Sequence, residues 1–523
     1  MSTDTIVVPT SKPSLYSVWL LGSVVALVLA SRVIAFLHDP EIWLDEAMLM
    51  ANLPLNCLSD AFRPLPKHAQ AAPPGYLLVA SAISRLFGEQ QYHGLRLLSI
   101  AGSLGAMGFM LLALLRLNAA TLAPIALALV FLSPFGVRYG LEIKQHSYDL
   151  MATSLLLYAT IRAAQRGGRH RDLALLAGAG GFAILFSFSA PLLIAGMTAG
   201  LAAAARWKRP LTVVGHSPVF VMLGLTLLAL LWHFTVTSFL TTGNVSAWAA
   251  QESSAYLALP FLRHGEGIGP LGFMSIMFGM FDPWYRLSSG YYAQRIVAVI
   301  CTILLAIGFV ASARRIPFVA WSCAAFLGGI AGLSALGLYP IIYTQNFAFV
   351  QPVLGIVIAA GLAVLGSFFM RTALGRPGAD TIRVGLATLL VAGMGYSALH
   401  AALSQEKSHL RRATAMIEAE TRANGGLVLM SVAAGITLPF VAPEFLAKMT
   451  LVPEGLSTQA QSAATGDRIW VIYSSVYDDE LQIVPESLKP LSTAFGPCDE
   501  IFRAGSGADL GYTLVYRCGP AAP

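Results

Sequence analysis

Charge is scarce in this chain. Only 11% of its 523 residues are Asp, Glu, Lys or Arg, whereas soluble domains carry roughly 25%. That deficit, with 56% hydrophobic residues, excludes an ordinary soluble protein and puts most of the chain in a bilayer. Cysteine is sparse too, at five residues. Cys57, Cys301 and Cys323 are scattered, and no spacing matches a metal site. No internal repeat or low-complexity tract stands out. The first apolar run, residues 15–37, lacks a small-residue cleavage site at its end, so a retained anchor is expected rather than a cleaved signal. The net charge of +6 does not point to nucleic acid, because the basic residues sit in short loops between apolar runs, the pattern of membrane orientation.

Several apolar runs reach the roughly 20 residues needed for a crossing. With the N-terminus inside, Arg116, the loop of Arg162, Arg166, Arg169 and Arg171, then Arg206 and Lys208, Arg314 and Arg315, and Arg371 and Arg376 all fall on the inner side. This path predicts about eleven crossings, with residues 173–205 taken as two short ones around Pro191. Residues 74–87 are expected as a short helix at the outer interface. Residues 122–135 are expected as a crossing that delivers the next polar cluster outside.

Two polar clusters follow apolar runs. One is Trp43-Leu44-Asp45-Glu46; the other runs from Arg138 and Tyr139 through Glu142, Lys144 and His146 to Asp149. Acids and bases at a membrane boundary are costly and mark function. The path places both clusters, Trp284 with Arg286, and the Tyr339-Pro340 loop on one face. Lys144 and His146 alternate with Glu142 and would share its side of an extended chain. Asp149 is expected to cap a helix.

From residue 404 the composition turns polar. Residues 409–423 read as an amphipathic helix stopped by Asn424-Gly425-Gly426. Residues 427–432, 469–473 and 512–516 read as strands, and residues 478–491 as a possible short helix. The expected architecture is therefore mostly α: a polytopic helical membrane domain, residues 1–403, followed by a small extracytoplasmic α/β domain, residues 404–523. Cys498 and Cys518 would form a disulfide outside the cytoplasm; two unpaired thiols are equally compatible with the sequence.

Trp43-Leu44-Asp45-Glu46, Ala72-Pro73-Pro74-Gly75-Tyr76, Leu95-Arg96-Leu97, Glu142-Ile143-Lys144-Gln145-His146-Ser147 and Tyr339-Pro340 together resemble the polytopic glycosyltransferases of the GT-C class. The nearest kin by these motifs are bacterial relatives of protein O-mannosyltransferases and lipid A aminoarabinose transferases. The resemblance covers residues 15–403. It implies a sugar donor on a polyprenyl phosphate and a glycan, glycolipid or protein acceptor. It also implies an inverting transfer at the outer face of the inner (plasma) membrane. Asp45 would be the first-loop catalytic carboxylate and Glu142 the second-loop acid, with Glu46 beside them. In kin a basic residue often precedes the Pro-Pro pair, where this chain has Ala72. An arginine often follows the Tyr-Pro, where it has Gln345 and Asn346.

Such a transfer needs a base for the acceptor proton and positive groups for the departing phosphate. Candidates for the phosphate are Lys144, His146, Arg96, Arg138, Lys67 and Arg286. Candidates for acceptor or sugar are Tyr139, Trp284, Tyr343 and Gln345. Two carboxylates can hold a divalent ion, but no spacing requires one, and a metal-independent enzyme without cofactor is expected. The competing classes are a lipid-linked saccharide transporter or flippase, whose charges would gather near the midplane at broken helices, and a polysaccharide ligase or polymerase, which would lean on arginines of a large outer loop.

Overall fold

The computed structural model describes residues 15–68, 70–208, 213–241, 270–279, 281, 291–336, 344–373, 375–403, 409–424, 427–442, 444–445, 451–452, 469–476, 484, 488–489, 491–493, 496–506 and 511–519. Its contacts divide the chain into two compact units. One comprises residues 1–37 and 54–403, the other residues 38–53 and 404–523. Composition assigns the first outer loop to the membrane region; by contacts it groups with the C-terminal residues.

The first unit is helical. The elements in chain order are α1 (Leu15–His38), α2 (Leu44–Met50, in the second unit), α3 (Pro74–Phe87), α4 (Gln91–Arg116), α5 (Ala123–Phe131), α6 (Pro134–Tyr139), α7 (His146–Gln165), α8 (His170–Phe186), α9 (Ala190–Lys208) and α10 (Val213–Trp232). A π-helical turn, His233–Thr237, leads to α11 (Ser238–Thr241). After it come α12 (Pro270–Gly279), α13 (Tyr291–Arg315), α14 (Pro317–Ala335), a 3₁₀ segment Thr344–Val350, α15 (Gln351–Ala373) and α16 (Gly375–Leu403).

Among the described residues, seven helical segments are long and apolar enough to cross a membrane. Residues 173–205, expected as two short crossings, fall in a helix pair, α8 and α9. The expected crossing at 122–135 is different. α5 has nine residues, a rise of about 14 Å against a hydrocarbon core of about 30 Å. Its side chains from Ala126 to Phe131 are all buried, so it is an internal element rather than a lipid-facing span.

α3 starts and stops where its punctuation dictates. Pro74 opens it without wasting an N–H, and Gly88 ends it in the left-handed region at φ 55°, which glycine adopts at no steric cost. α13 and α15 cross at two glycines. A Cβ on Gly308 would overlap the Val357 carbonyl, and one on Gly361 would overlap the Leu304 carbonyl. Only small residues permit such close backbone approach inside a bilayer.

The second unit holds α2, α17 (Leu410–Asn424), α18 (Val432–Val441) and five strands: β1 (Leu427–Met430), β2 (Leu451–Val452), β3 (Ile469–Val476), β4 (Cys498–Ser506) and β5 (Gly511–Cys518). The sheet order is β2-β1-β3-β5-β4. β1 runs parallel to β2 and β3, whereas β5 is antiparallel to β3 and β4. Leu410, Ala413, Thr414 and Ile417 are buried, the i, i+3, i+4, i+7 stripe that makes α17 amphipathic. Leu514, Tyr516 and Cys518 alternate into the core against Ile469 and Val471, the two-residue period of a strand with one covered face. β2, β4 and α18 were not expected from the sequence. The possible helix at 478–491 falls largely outside the described residues.

Cys498 and Cys518 stand opposite each other on β4 and β5 and are disulfide-bonded. The bridge closes a loop with a sequence separation of 20. Chain entropy then predicts that Cys498→Ser destabilises this unit by about 3 kcal/mol. The check is denaturant unfolding followed at Trp470, which is 1% exposed on β3; an unchanged midpoint would contradict it.

Candidate active site

The polar cluster of the first unit begins where α5 ends. Ser133 caps α6, its hydroxyl accepting the Gly136 N–H at 3.0 Å, and Pro134 occupies the first helical position. α6 lasts six residues, and the chain then turns through Leu141 to Gln145 before α7 begins. Ser99 on α4 donates to the Glu142 carbonyl at 2.7 Å, which fixes this turn to α4. Lys144 N–H reaches back to the same carbonyl at 2.7 Å. The segment is therefore folded, and the extended alternation of Glu142, Lys144 and His146 does not hold.

Glu142 is fully buried at 0% exposure. Arg138 Nε lies 3.6 Å from its Oε2, yet neither carboxylate oxygen accepts a hydrogen bond among the described residues. The Arg138 guanidinium also lies 5.4 Å from the centre of the Tyr139 ring. Tyr139 in turn meets His146 edge to face at 4.9 Å. His146 is the first residue of α7 and buried; its Nδ1 is 3.7 Å from Asp149 Oδ2, and neither ring nitrogen is hydrogen-bonded among the described residues. Asp149 is thus the fourth residue of α7 and faces His146; it does not cap the helix, as the sequence suggested.

Gln145 Oε1, Ser147 Oγ and Asp149 Oδ1 are likewise buried without a hydrogen-bond partner there. Native interiors pair nearly all such atoms, because each one left unpaired costs about 1–3 kcal/mol. Their concentration between Arg138 and Asp149 makes this segment the candidate site.

The surrounding candidates divide. Arg96 lies one turn before Ser99 on α4, at 1% exposure, with its guanidinium 5.5 Å from the Tyr92 ring centre. Lys144 is half-buried and its Nζ is 3.5 Å from Gln70 Oε1. Lys67 is exposed. Arg286, Trp284 and Tyr343 lie outside the described residues. Gln345 is in the 3₁₀ segment, and its side chain is not described. The Pro-Pro-Gly-Tyr motif has a packing job. A Cβ on Gly75 would meet the Leu185 carbonyl and the Phe186 ring at 2.8 Å, and buried Tyr76 packs edge to face on Tyr148 at 5.7 Å.

Asp45 and Glu46 sit in the second unit, in the first turn of α2, where the helix dipole favours negative charge. Glu46 is fully buried, and its Oε2 accepts the Trp43 N–H at 3.2 Å. That carboxylate therefore caps its own helix. Asp45 is half-buried. Among the described residues no three His, Cys, Asp or Glu side chains gather into a metal-binding group.

Besides Ser99, a second residue of this region is not among the sequence candidates. Arg32, on α1, is 1% exposed. Its Nη2 donates to the carbonyls of Phe131 at 3.1 Å and Gly136 at 2.8 Å, and Nη1 donates to Ser31 at 3.1 Å. The guanidinium also lies 3.3 Å from Ser103 Oγ and would collide with a Cβ on Gly140. It pins the α5–α6 junction that leads into Glu142. The signal was present: an arginine inside the first apolar run.

A family model described as dolichyl-phosphate-mannose-protein mannosyltransferase matches residues 71–234, a stretch that contains the whole Arg138–Asp149 cluster. No curated protein matches the chain in sequence. Among solved structures, ArnT from Cupriavidus metallidurans bound to undecaprenyl phosphate superposes with a TM-score of 0.50 at 15% identity, over 96% of this chain and 99% of that one. The oligosaccharyltransferase AglB from Archaeoglobus fulgidus, in complex with an inhibitory peptide and a dolichol-phosphate, gives a TM-score of 0.49 at 14% identity over 82% and 64%. The chain thus shares the fold of that ArnT structure, and residues 71–234, which carry the buried polar turn, match the mannosyltransferase family model.

Proposed function

We propose that the protein is a glycosyltransferase that moves a sugar from a polyprenyl-phosphate donor to an acceptor hydroxyl on the extracytoplasmic face of the plasma membrane. The observation that carries this reading is the fully buried Glu142 carboxylate beside Arg138, with both oxygens lacking a hydrogen bond among the described residues. The family match over residues 71–234 supports the same chemistry, as does the likeness in fold to an enzyme solved with undecaprenyl phosphate.

In the proposed reaction the acceptor oxygen attacks the anomeric carbon as the bond to phosphate oxygen breaks. The electron pair leaves with the polyprenyl phosphate, and the acceptor proton passes to a carboxylate base, the role that the motif resemblance gives to Asp45. A single displacement of this kind inverts the anomeric centre. Arg96, Arg138, Lys144 and His146 supply positive charge or N–H donors to the leaving phosphate. Glu142 holds Arg138 in place and accepts a sugar or acceptor hydroxyl. No step uses a metal ion, so chelation with EDTA should leave the initial rate unchanged; loss of activity restored by added divalent ion would overturn that point.

The test is transfer of radiolabelled sugar from undecaprenyl-phosphate-linked donors in membranes containing wild type or Glu142→Gln. Wild type should exceed membranes lacking the protein, and the variant should fall by about 100-fold at equal protein level. A wild type that translocates the lipid-linked sugar without transferring it would sink the reading.

A further inference from the structure

Within the second unit, the segment carrying the acid pair is fastened to α17 by a reciprocal set of bonds. Glu41 is 7% exposed. Its Oε2 accepts the Leu410 N–H at 2.7 Å, and its Oε1 accepts the Arg411 N–H at 2.9 Å. These are the first two amides of α17, and they need an outside acceptor. The helix has no acid in its own first turn, so it takes one from 369 residues earlier in the chain.

Arg411 answers in the other direction. Its Nη1 donates to the Asp39 carbonyl at 3.1 Å, and its Nη2 donates to Asp39 Oδ2 at 3.0 Å. Asp39 turns the chain at φ 48°, a left-handed conformation that aspartate tolerates better than most residues. Beyond the clamp, α2 packs on α18 with Ala47, Leu49 and Met50 buried. Asp45 therefore lies between two anchored points, and both anchors lie in the C-terminal part of the chain.

We propose that Glu41 and Arg411 are positioning residues for the reaction. They lock the Asp39–Met50 segment to α17, so that the C-terminal unit sets where the Asp45 carboxylate stands. The catalytic half of this assignment rests on Asp45 as the base; the clamp itself does not.

The test uses the full chain, as wild type, Glu41→Ala, Arg411→Ala and Arg411→Lys. The first readout is amide hydrogen exchange. Loss of the clamp should speed exchange over residues 44–50 by about 10-fold in both alanine variants and leave α4 unchanged. The second is transfer from undecaprenyl-phosphate-linked sugars. The alanine variants should lose about 10-fold in kcat with donor KM unchanged, because misplacing a reacting group costs rate rather than donor binding. Arg411→Lys should recover part of that loss.

Unchanged exchange at 44–50 in both alanine variants would overturn the clamp. Faster exchange with wild-type kcat would overturn positioning. A wild type without transferase activity would remove the base role and the catalytic half with it, while the exchange result would still decide the clamp. Should Glu41→Ala fail to fold, Glu41→Gln and Arg411→Ala give the same two readouts.

Discussion

Replacing Asp45 with asparagine should lower sugar transfer by about 10²–10⁴-fold, the range that a general base contributes, with the protein still present in the membrane at its normal level. The two side chains match in size, and asparagine can still accept a hydrogen bond through its carbonyl. It cannot take up a proton. The fold should tolerate the change because α2 does not depend on Asp45 for its cap; that role belongs to Glu46, which accepts the Trp43 N–H. The loss of a first-turn negative charge from the helix dipole costs about 0.3–1 kcal/mol. Initial rates from radiolabelled undecaprenyl-phosphate donors, normalised to protein by immunoblot, make the measurement. A variant as active as wild type would remove Asp45 from the mechanism, and a variant missing from the membrane would show that the residue acts in folding.

Arg32→Met should lower stability by about 2–3 kcal/mol. Methionine fills similar volume without a charge, so in a purely apolar pocket it would stabilise. Arg32 does not sit in such a pocket. Its Nη2 donates to the carbonyls of Phe131 and Gly136; truncation takes that charged donor from Phe131, at about 1–3 kcal/mol, and leaves Gly136 with only the Gly140 N–H at 3.1 Å. Hydrogen bonds from a charged donor are also stronger than neutral ones. Arg32→Lys should fall between the two, because an ammonium cannot spread over acceptors arranged for a planar fork. Thermal unfolding in detergent reads the difference, and a Met variant at least as stable as wild type would refute it. The same variant should reduce transfer, since the α5–α6 junction leads directly into the Glu142 turn.

Punctuation made some elements legible. Pro74 and Gly88 bracket α3, and α17 declares itself by the spacing of Leu410, Ala413, Thr414 and Ile417. β1, β3 and β5 follow from β-branched and aromatic residues. α18 was hidden because an apolar run of that length suits a strand or a helix equally; Ser431 capping Ala434 decides it. β4 was hidden by Asp499, Glu500 and Arg503, which break the alternation of a half-buried strand. At the site, Glu142 and Arg138 were legible as charges beside apolar runs. The roles of Arg32, Ser99 and Glu41 were not, because each is defined by a backbone group far away in sequence: Arg32 by Gly136, Ser99 by Glu142, Glu41 by Leu410.

The sequence separation of 369 between Glu41 and Leu410 also orders events on the ribosome. At about 5–20 residues per second, the acid-bearing loop waits roughly 20–70 s after it is made before its partner helix exists. During that interval the nascent bundle can insert with the loop untethered. The clamp therefore forms late, once α17 has been made and can fasten a segment synthesised 369 residues before it.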